Sequence, residues 1–178
     1  MARSFAERMI GAAMLNPDVY EEVEADESAT AQAAGVVALA AVAGAIGAYR
    51  SGTHGMVAAI ISAFVAWGLW AGVTYIVGTR LFNGTATWGE LLRTLGFAQA
   101  PGLLAVVGII PFFGGLVTLA AWIWVLVASI VAIRQALDFD TGKALLTPII
   151  SFVVVVVAKL MLAILFGGMA MLGGAFGR

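Results

Sequence analysis

Along this chain, polar stretches separate five long apolar runs, at residues 29–49, 56–78, 94–110, 116–133 and 148–166. Each run is close to the roughly 20 residues that an α-helix needs to cross a hydrocarbon core about 30 Å thick. Within a run such as Val36 to Ala48 or Ile149 to Ala158, apolar and polar positions do not alternate. A membrane β-barrel strand would alternate, so the pattern predicts helices.

The polar stretches carry local signals of their own. Residues 1–28 form a preamble. Its first part, Ala2 to Leu15, can place Phe5, Met9, Ala12 and Ala13 on one face, opposite Arg3, Glu7 and Arg8. Asn16-Pro17 then reads as an N-cap and first-turn proline opening a short helix, whose early acids suit the positive end of its dipole. The simpler expectation for this preamble is a solvated lead-in to the first span. The alternative is an interfacial or docking helix, with Tyr20, Glu21, Glu22 and Glu24 as candidate contacts to a partner or lipid headgroups.

Further on, Thr87-Trp88-Gly89-Glu90 has the spacing of a capping box, so a helix can start at Trp88 inside the polar stretch 79–93. Pro101 is expected to kink or interrupt the third span. The uncharged linker 111–115 makes spans three and four a hairpin. Arg134 to Thr147 reads as a polar loop, Pro148 as a first-turn residue of span five, and the glycine-rich stretch after Phe166 as a tail.

Composition decides the solvent. Hydrophobic residues make up 62% of the chain and charged residues 11%, with a mean hydropathy of +1.05. Soluble domains are roughly 45–50% apolar and about 25% charged. The fold class is therefore all-α, a polytopic membrane helical bundle of five spans (29–178) behind the helical preamble (1–28). Without cysteine, disulfides and thiolate sites are excluded. A formal net charge of −1 provides no basic field for nucleic acid. The start of the chain lacks the continuous apolar stretch of a signal peptide.

Basic residues orient the bundle. Arg3, Arg8, Arg80, Arg93, Arg134 and Lys143 fall on the N-terminal side, against Arg50 and Arg178 on the other. By the positive-inside rule the N-terminus is cytoplasmic and the C-terminus outside. An internal echo accompanies this: a shift of 54 residues aligns Trp70 with Trp124, Arg80 with Arg134 and Leu91-Leu92 with Leu145-Leu146. It suggests two hairpins, spans two–three and four–five, related in parallel.

Few residues offer chemistry. Lys159 is the one ionisable group well inside a span, and no Asp or Glu lies in any span to pair with it. A central lysine costs about 2.5–3.5 kcal/mol. Three placements remain open: snorkelling to headgroups, facing a polar cavity, or meeting another subunit or a lipid phosphate. Gly35, Gly44, Gly68 and Gly72 (the last two spaced as Gly-x-x-x-Gly), together with Pro101, are the candidate helix-packing positions. His54 stands alone in a loop. Trp88 is expected at the membrane interface, and the other four tryptophans in bundle or lipid contacts. No catalytic, cofactor-binding or metal-ligating constellation is found, and no cofactor is expected.

In sequence order, several segments resemble the Yip family of small five-span membrane proteins in its prokaryotic form. They are Asn16-Pro17-Asp18-Val19-Tyr20-Glu21-Glu22-Val23, then Glu90-Leu91-Leu92-Arg93-Thr94-Leu95-Gly96-Phe97-Ala98-Gln99-Ala100-Pro101. The Pro111 hairpin and Ala132-Ile133-Arg134-Gln135-Ala136-Leu137 through Thr141-Gly142-Lys143-Ala144 follow. The resemblance implies five spans with a cytoplasmic N-terminus and an outward C-terminus. It also implies relatives in eukaryotes that associate with Rab GTPases through a cytoplasmic N-terminal region. The leading expectation is a non-enzymatic scaffold or accessory component of a membrane assembly in a prokaryotic inner membrane. Its expected partners are lipids and other membrane proteins or further copies of itself. The alternative is a small-solute or ion translocator with a cavity near Pro101, Pro111 and Lys159.

Overall fold

The computed structural model describes residues 3–48 and 56–176, with side chains except at Met56, Lys159 and 162–176. His54 lies outside the described residues. Two short helices come first: α1, Phe5–Ala13, and α2, Pro17–Ala25. Both start on strong local signals. Ser4 and Glu7 form a capping box around the first turn of α1. Asn16 Oδ1 accepts from Asp18 N at 3.0 Å, with Pro17 as the first residue of α2. The long elements follow: α3, Ala29–Gly47; α4, Met56–Phe82; α5, Trp88–Phe97; a 3₁₀ helix, Ala100–Ile109; α6, Gly114–Ala136; and α7, Thr141–Phe176. Thr87 and Glu90 close the capping box expected at α5, at 3.3 and 2.8 Å.

Helices α3, α4, α6 and the first half of α7 are each long and apolar enough to cross a membrane. The pair α5 and 3₁₀ helix, bent by 40°, makes a fifth span when counted as one. Its break has a local cause. Pro101 offers no N–H to a carbonyl one turn back and disfavours α geometry at Ala100. From there the chain tightens into 3₁₀ form.

Surface and interior agree with a lipid solvent. Val57, Ile61, Val65, Leu69 and Ile76 on α4, Leu116, Leu119, Ile123 and Leu126 on α6, and Ile149, Phe152, Val153 and Leu160 on α7 are all exposed. A soluble monomer does not carry an apolar surface of that extent. The interior is built from small residues at the crossing of α3, the 3₁₀ segment and α6. A Cβ added at Gly47 would lie 1.9 Å from the Ala105 carbonyl oxygen, and one at Gly96 2.7 Å from the Ala33 side chain. At Gly108 and Gly114 it would meet backbone within 3.1 and 2.6 Å. Backbones touch here because no side chain holds them apart.

Several expectations change. Gly44 and Gly68 face open space, and Gly35 and Gly72 meet only ordinary neighbours at 3.8 and 3.7 Å. Close packing within the chain runs instead through Gly47, Gly96, Gly108 and Gly114. The polar stretch 134–147 is mostly helix. Helix α6 extends to Ala136 and α7 starts at Thr141, where Asp140 Oδ1 accepts from Lys143 N at 3.1 Å. Pro148 therefore sits inside α7, which continues through the glycine-rich stretch to Phe176. The helix ends keep the 54-residue spacing only in part: α4 and α6 end 54 residues apart (136 − 82), whereas α5 and α7 start 53 apart (141 − 88). Their second arms differ, since α5 breaks and α7 does not.

The largest correction concerns the preamble. It is not a solvated lead-in: α1 and α2 form a hairpin packed on α5, α6 and the 3₁₀ segment. Val19, Tyr20 and Val23 join the core with Phe97, Leu91 and Ile133. Phe5 meets Phe97 edge-on at 6.4 Å between ring centroids.

Candidate functional site

The hairpin is held by charge as well as by burial. Arg8, expected on a solvent face, is only 3% exposed. Its Nε donates to Glu22 Oε1 at 3.0 Å and Nη1 to Gln32 Oε1 at 3.1 Å, while Nη2 lies 2.8 Å from Asp26 Oδ2. Arg3 also pairs with Glu22. Burial alone would raise the Glu22 carboxyl, but hydrogen bonds from Arg3 and Arg8 outweigh it and hold the group below its usual value. Asp26 is lowered by Ser28 first and Arg8 next. Glu22 is thus consumed internally rather than offered to a partner. Tyr20 is corrected too: it is fully buried, and its hydroxyl donates to the Ala12 carbonyl at 3.0 Å.

Arg93, missed in the sequence, fixes the other end of α2. It is buried, and its Nε donates to the Val23 and Glu24 carbonyls, both at 3.0 Å. A guanidinium on the last carbonyls of a helix meets the negative end of the dipole and orphan acceptors at once. The exposed Glu21 of α2 accepts from Gln135 Nε2 of α6 at 2.8 Å.

Between α2, the start of α5 and the α6–α7 turn opens a cleft of about 790 Å³. Glu21, Glu24, Glu90, Asp138 and Asp140 line it against a single guanidinium, Arg134. Thr85 Oγ1 donates to Asp138 Oδ2 at 2.6 Å and ties the α4–α5 loop to the same rim. Among the described residues, no three acids or histidines gather as metal ligands. The negative charge is spread along the cleft, which suits an extended cationic group better than a point ion. Of the expected contact residues, Glu21 and Glu24 line this cleft. The sequence does not single out Glu90, Asp138 and Asp140, because loops distant in sequence meet only in the folded chain.

Glu24 is the strained member. Burial raises its carboxyl to about 7, with repulsion from Glu90, Asp138 and Glu21 adding to the rise and Arg93 opposing it. A folded value above the ordinary 4.5 means that folding takes up a proton between pH 4.5 and 7. The stabilisation from this group is therefore complete below 4.5 and lost as pH climbs through 7. Thermal unfolding in detergent should show wild type losing stability from pH 5 to pH 8, and Glu24→Gln removing most of that loss. An unchanged slope in the variant would mean that Glu24 is not the group responsible.

The other foreseen positions do not converge on this cleft. Pro101 is buried at the start of the 3₁₀ segment, whereas Pro111 is exposed beyond its end. Lys159 lies on α7, with its side chain outside the described residues. Trp88 is half exposed, and its indole nitrogen would be 3.7 Å from a Cβ at Gly72. Trp67 Nε1 donates to the Leu92 carbonyl at 3.0 Å and Trp124 Nε1 to the Ala13 carbonyl at 2.8 Å.

Four helices apolar and long enough to cross a membrane, a bent pair that makes a fifth when counted as one, a lipid-type surface and a folded polar cap define a polytopic α-helical membrane protein. Its family follows from the chain itself: residues 11–163 match the model of the Yip1 domain, so the protein belongs to the Yip1 domain family. The matched stretch begins within α1 and ends inside α7, taking in the cleft and the bent span. Neither a curated protein nor a solved structure matches the chain.

Proposed function

We propose that this Yip1 family protein is a non-enzymatic accessory or scaffolding subunit of a prokaryotic inner-membrane assembly, and that its acidic cleft receives a basic segment of a partner membrane protein. The observation that carries the reading is the cleft: five carboxylates against one arginine, in a groove built by three separate elements and left open. The side bearing it also holds Arg80, Arg93, Arg134 and Lys143, which the positive-inside rule assigns to the cytoplasm. Complementary charge across such a groove gives partner selection and fast association more than raw affinity.

The test is affinity purification from native membranes in mild detergent, comparing wild type with a triple variant, Glu21→Gln, Glu24→Gln and Asp140→Asn. Asparagine can still cap α7, and glutamine can still accept from Gln135. The expected result is a stoichiometric membrane partner that is retained by wild type at low salt and lost from the triple variant. A solitary wild-type protein, or a partner retained equally by both, would overturn the reading.

A further inference from the structure

The turn joining α1 to α2 has an unusual surface. Ile10 and Met14 are 64% and 72% exposed on a helix whose other face is packed. The segment of α1 and its flanks is divided along its length: Arg3, Glu7 and Arg8 occupy the first half, and Met9 to Leu15 contain no charge. The uncharged end is directed at a definite place on α6, because Trp124 Nε1 donates to the Ala13 carbonyl at 2.8 Å.

Trp124 stands ten residues before Arg134 (134 − 124) in the unbroken helix α6. At about 1.5 Å per residue, that is roughly 15 Å along the helix from the arginine. Ile123, 54% exposed, and Val127, 41% exposed, lie at the same level on the side of α6 that carries Trp124 and belong to its lipid-facing surface. The apolar end of α1 is continuous with that surface.

We infer that the α1–α2 turn is seated in the lipid leaflet on the N-terminal side, with Ile10 and Met14 among the acyl chains beside Trp124 and Ile123. The polar neighbours limit how deep it goes. Glu7 is one turn before Ile10, and the exposed Asp18 opens α2, so only the uncharged tip from Met9 to Leu15 enters the acyl region. An amphipathic segment seats its apolar face in lipid in this way. The hairpin is thereby clamped from two sides, by the Arg8 cluster in the protein and by lipid at its tip.

The absence of native cysteine allows a direct test. Single cysteines at Ile10 and Met14, at Leu126 as a lipid-facing reference and at the exposed Glu27 as a water-facing one, would carry spin labels. All four side chains are exposed, so labelling does not disturb the core. The protein would be reconstituted in phosphatidylethanolamine–phosphatidylglycerol vesicles and collision rates measured with oxygen and a water-soluble nickel chelate. The expected result is that Ile10 and Met14 favour oxygen over nickel, as Leu126 does, while Glu27 shows the reverse. Nickel access at Ile10 and Met14 equal to that at Glu27 would place the turn in water. Shielding from both reagents would place it against protein, a second copy included. Either outcome overturns the inference.

Discussion

Replacing Gly47 by alanine is expected to destabilise the bundle by about 3 kcal/mol, at the upper end of the usual cost of overpacking. The new Cβ would lie 1.9 Å from the Ala105 carbonyl oxygen. That oxygen is backbone, so no rotamer change relieves the overlap; α3 and the 3₁₀ segment must separate. Separation also disturbs Gly108, whose own missing side chain lets it sit against the Gly47 carbonyl. Gly44→Ala and Gly68→Ala are the controls, since a Cβ at either meets nothing within 4 Å. They should be neutral or slightly stabilising, because alanine is the better helix former. Unfolding titrations in mixed micelles with increasing sodium dodecyl sulfate would separate the three variants. A Gly47→Ala midpoint alongside the controls would show that the two backbones are not in contact.

Arg8→Ala is expected to cost about 2–3 kcal/mol, and most of that loss should fall on the hairpin. The substitution removes charge-assisted hydrogen bonds to Glu22 and Asp26 and a bond to Gln32, each such charged bond contributing about 1.5–3 kcal/mol. The loss stays below that of a wholly buried pair because the Glu22 and Asp26 side chains are 23% and 31% exposed and regain water. Arg8→Lys should recover less than half, since the three N–H groups of an ammonium diverge from one nitrogen and cannot match acceptors spread around Nε, Nη1 and Nη2. Limited proteolysis before Ala29 should accelerate in Arg8→Ala well ahead of global unfolding. Protection equal to that of wild type would mean that burial of Val19, Tyr20 and Val23 holds the hairpin unaided.

Much of the architecture was legible in the chain. An apolar run of about 20 residues has one economical solution in lipid, a helix with every backbone group satisfied internally, and so spans α3, α4 and α6 match their expected places. Local caps were equally readable: Asn16 and Pro17 start α2, and Thr87 with Glu90 starts α5, because those bonds join residues two or three apart. The interruption at Pro101 follows from a missing donor, a property of the residue alone.

The sites were less legible for a matching reason. Glycines that pack cannot be told from glycines that do not by spacing. Gly68-x-x-x-Gly72 has the familiar interval, yet Gly47 and Gly108, 61 residues apart (108 − 47), make the close approach. The fate of the preamble acids also turned on pairing. Arg3 and Arg8 could have been matched to Glu22 and Asp26 had Asn16-Pro17 been read as the corner of a hairpin as well as a helix start. Arg93 carried no comparable signal, since its partners are backbone carbonyls of Val23 and Glu24, present in every sequence.

Taken alone, the sequence determined the solvent, the helical class, the places of α3, α4 and α6 and the local starts of α2 and α5, because hydropathy and capping act over a few residues. Tertiary structure decided which side chains share a site. The five carboxylates of the cleft come from α2, α5 and the α6–α7 turn, and the hairpin's seat on α6 joins residues 111 positions apart. Such juxtapositions depend on how helices cross, and crossing is set by packing of the whole bundle rather than by any local pattern.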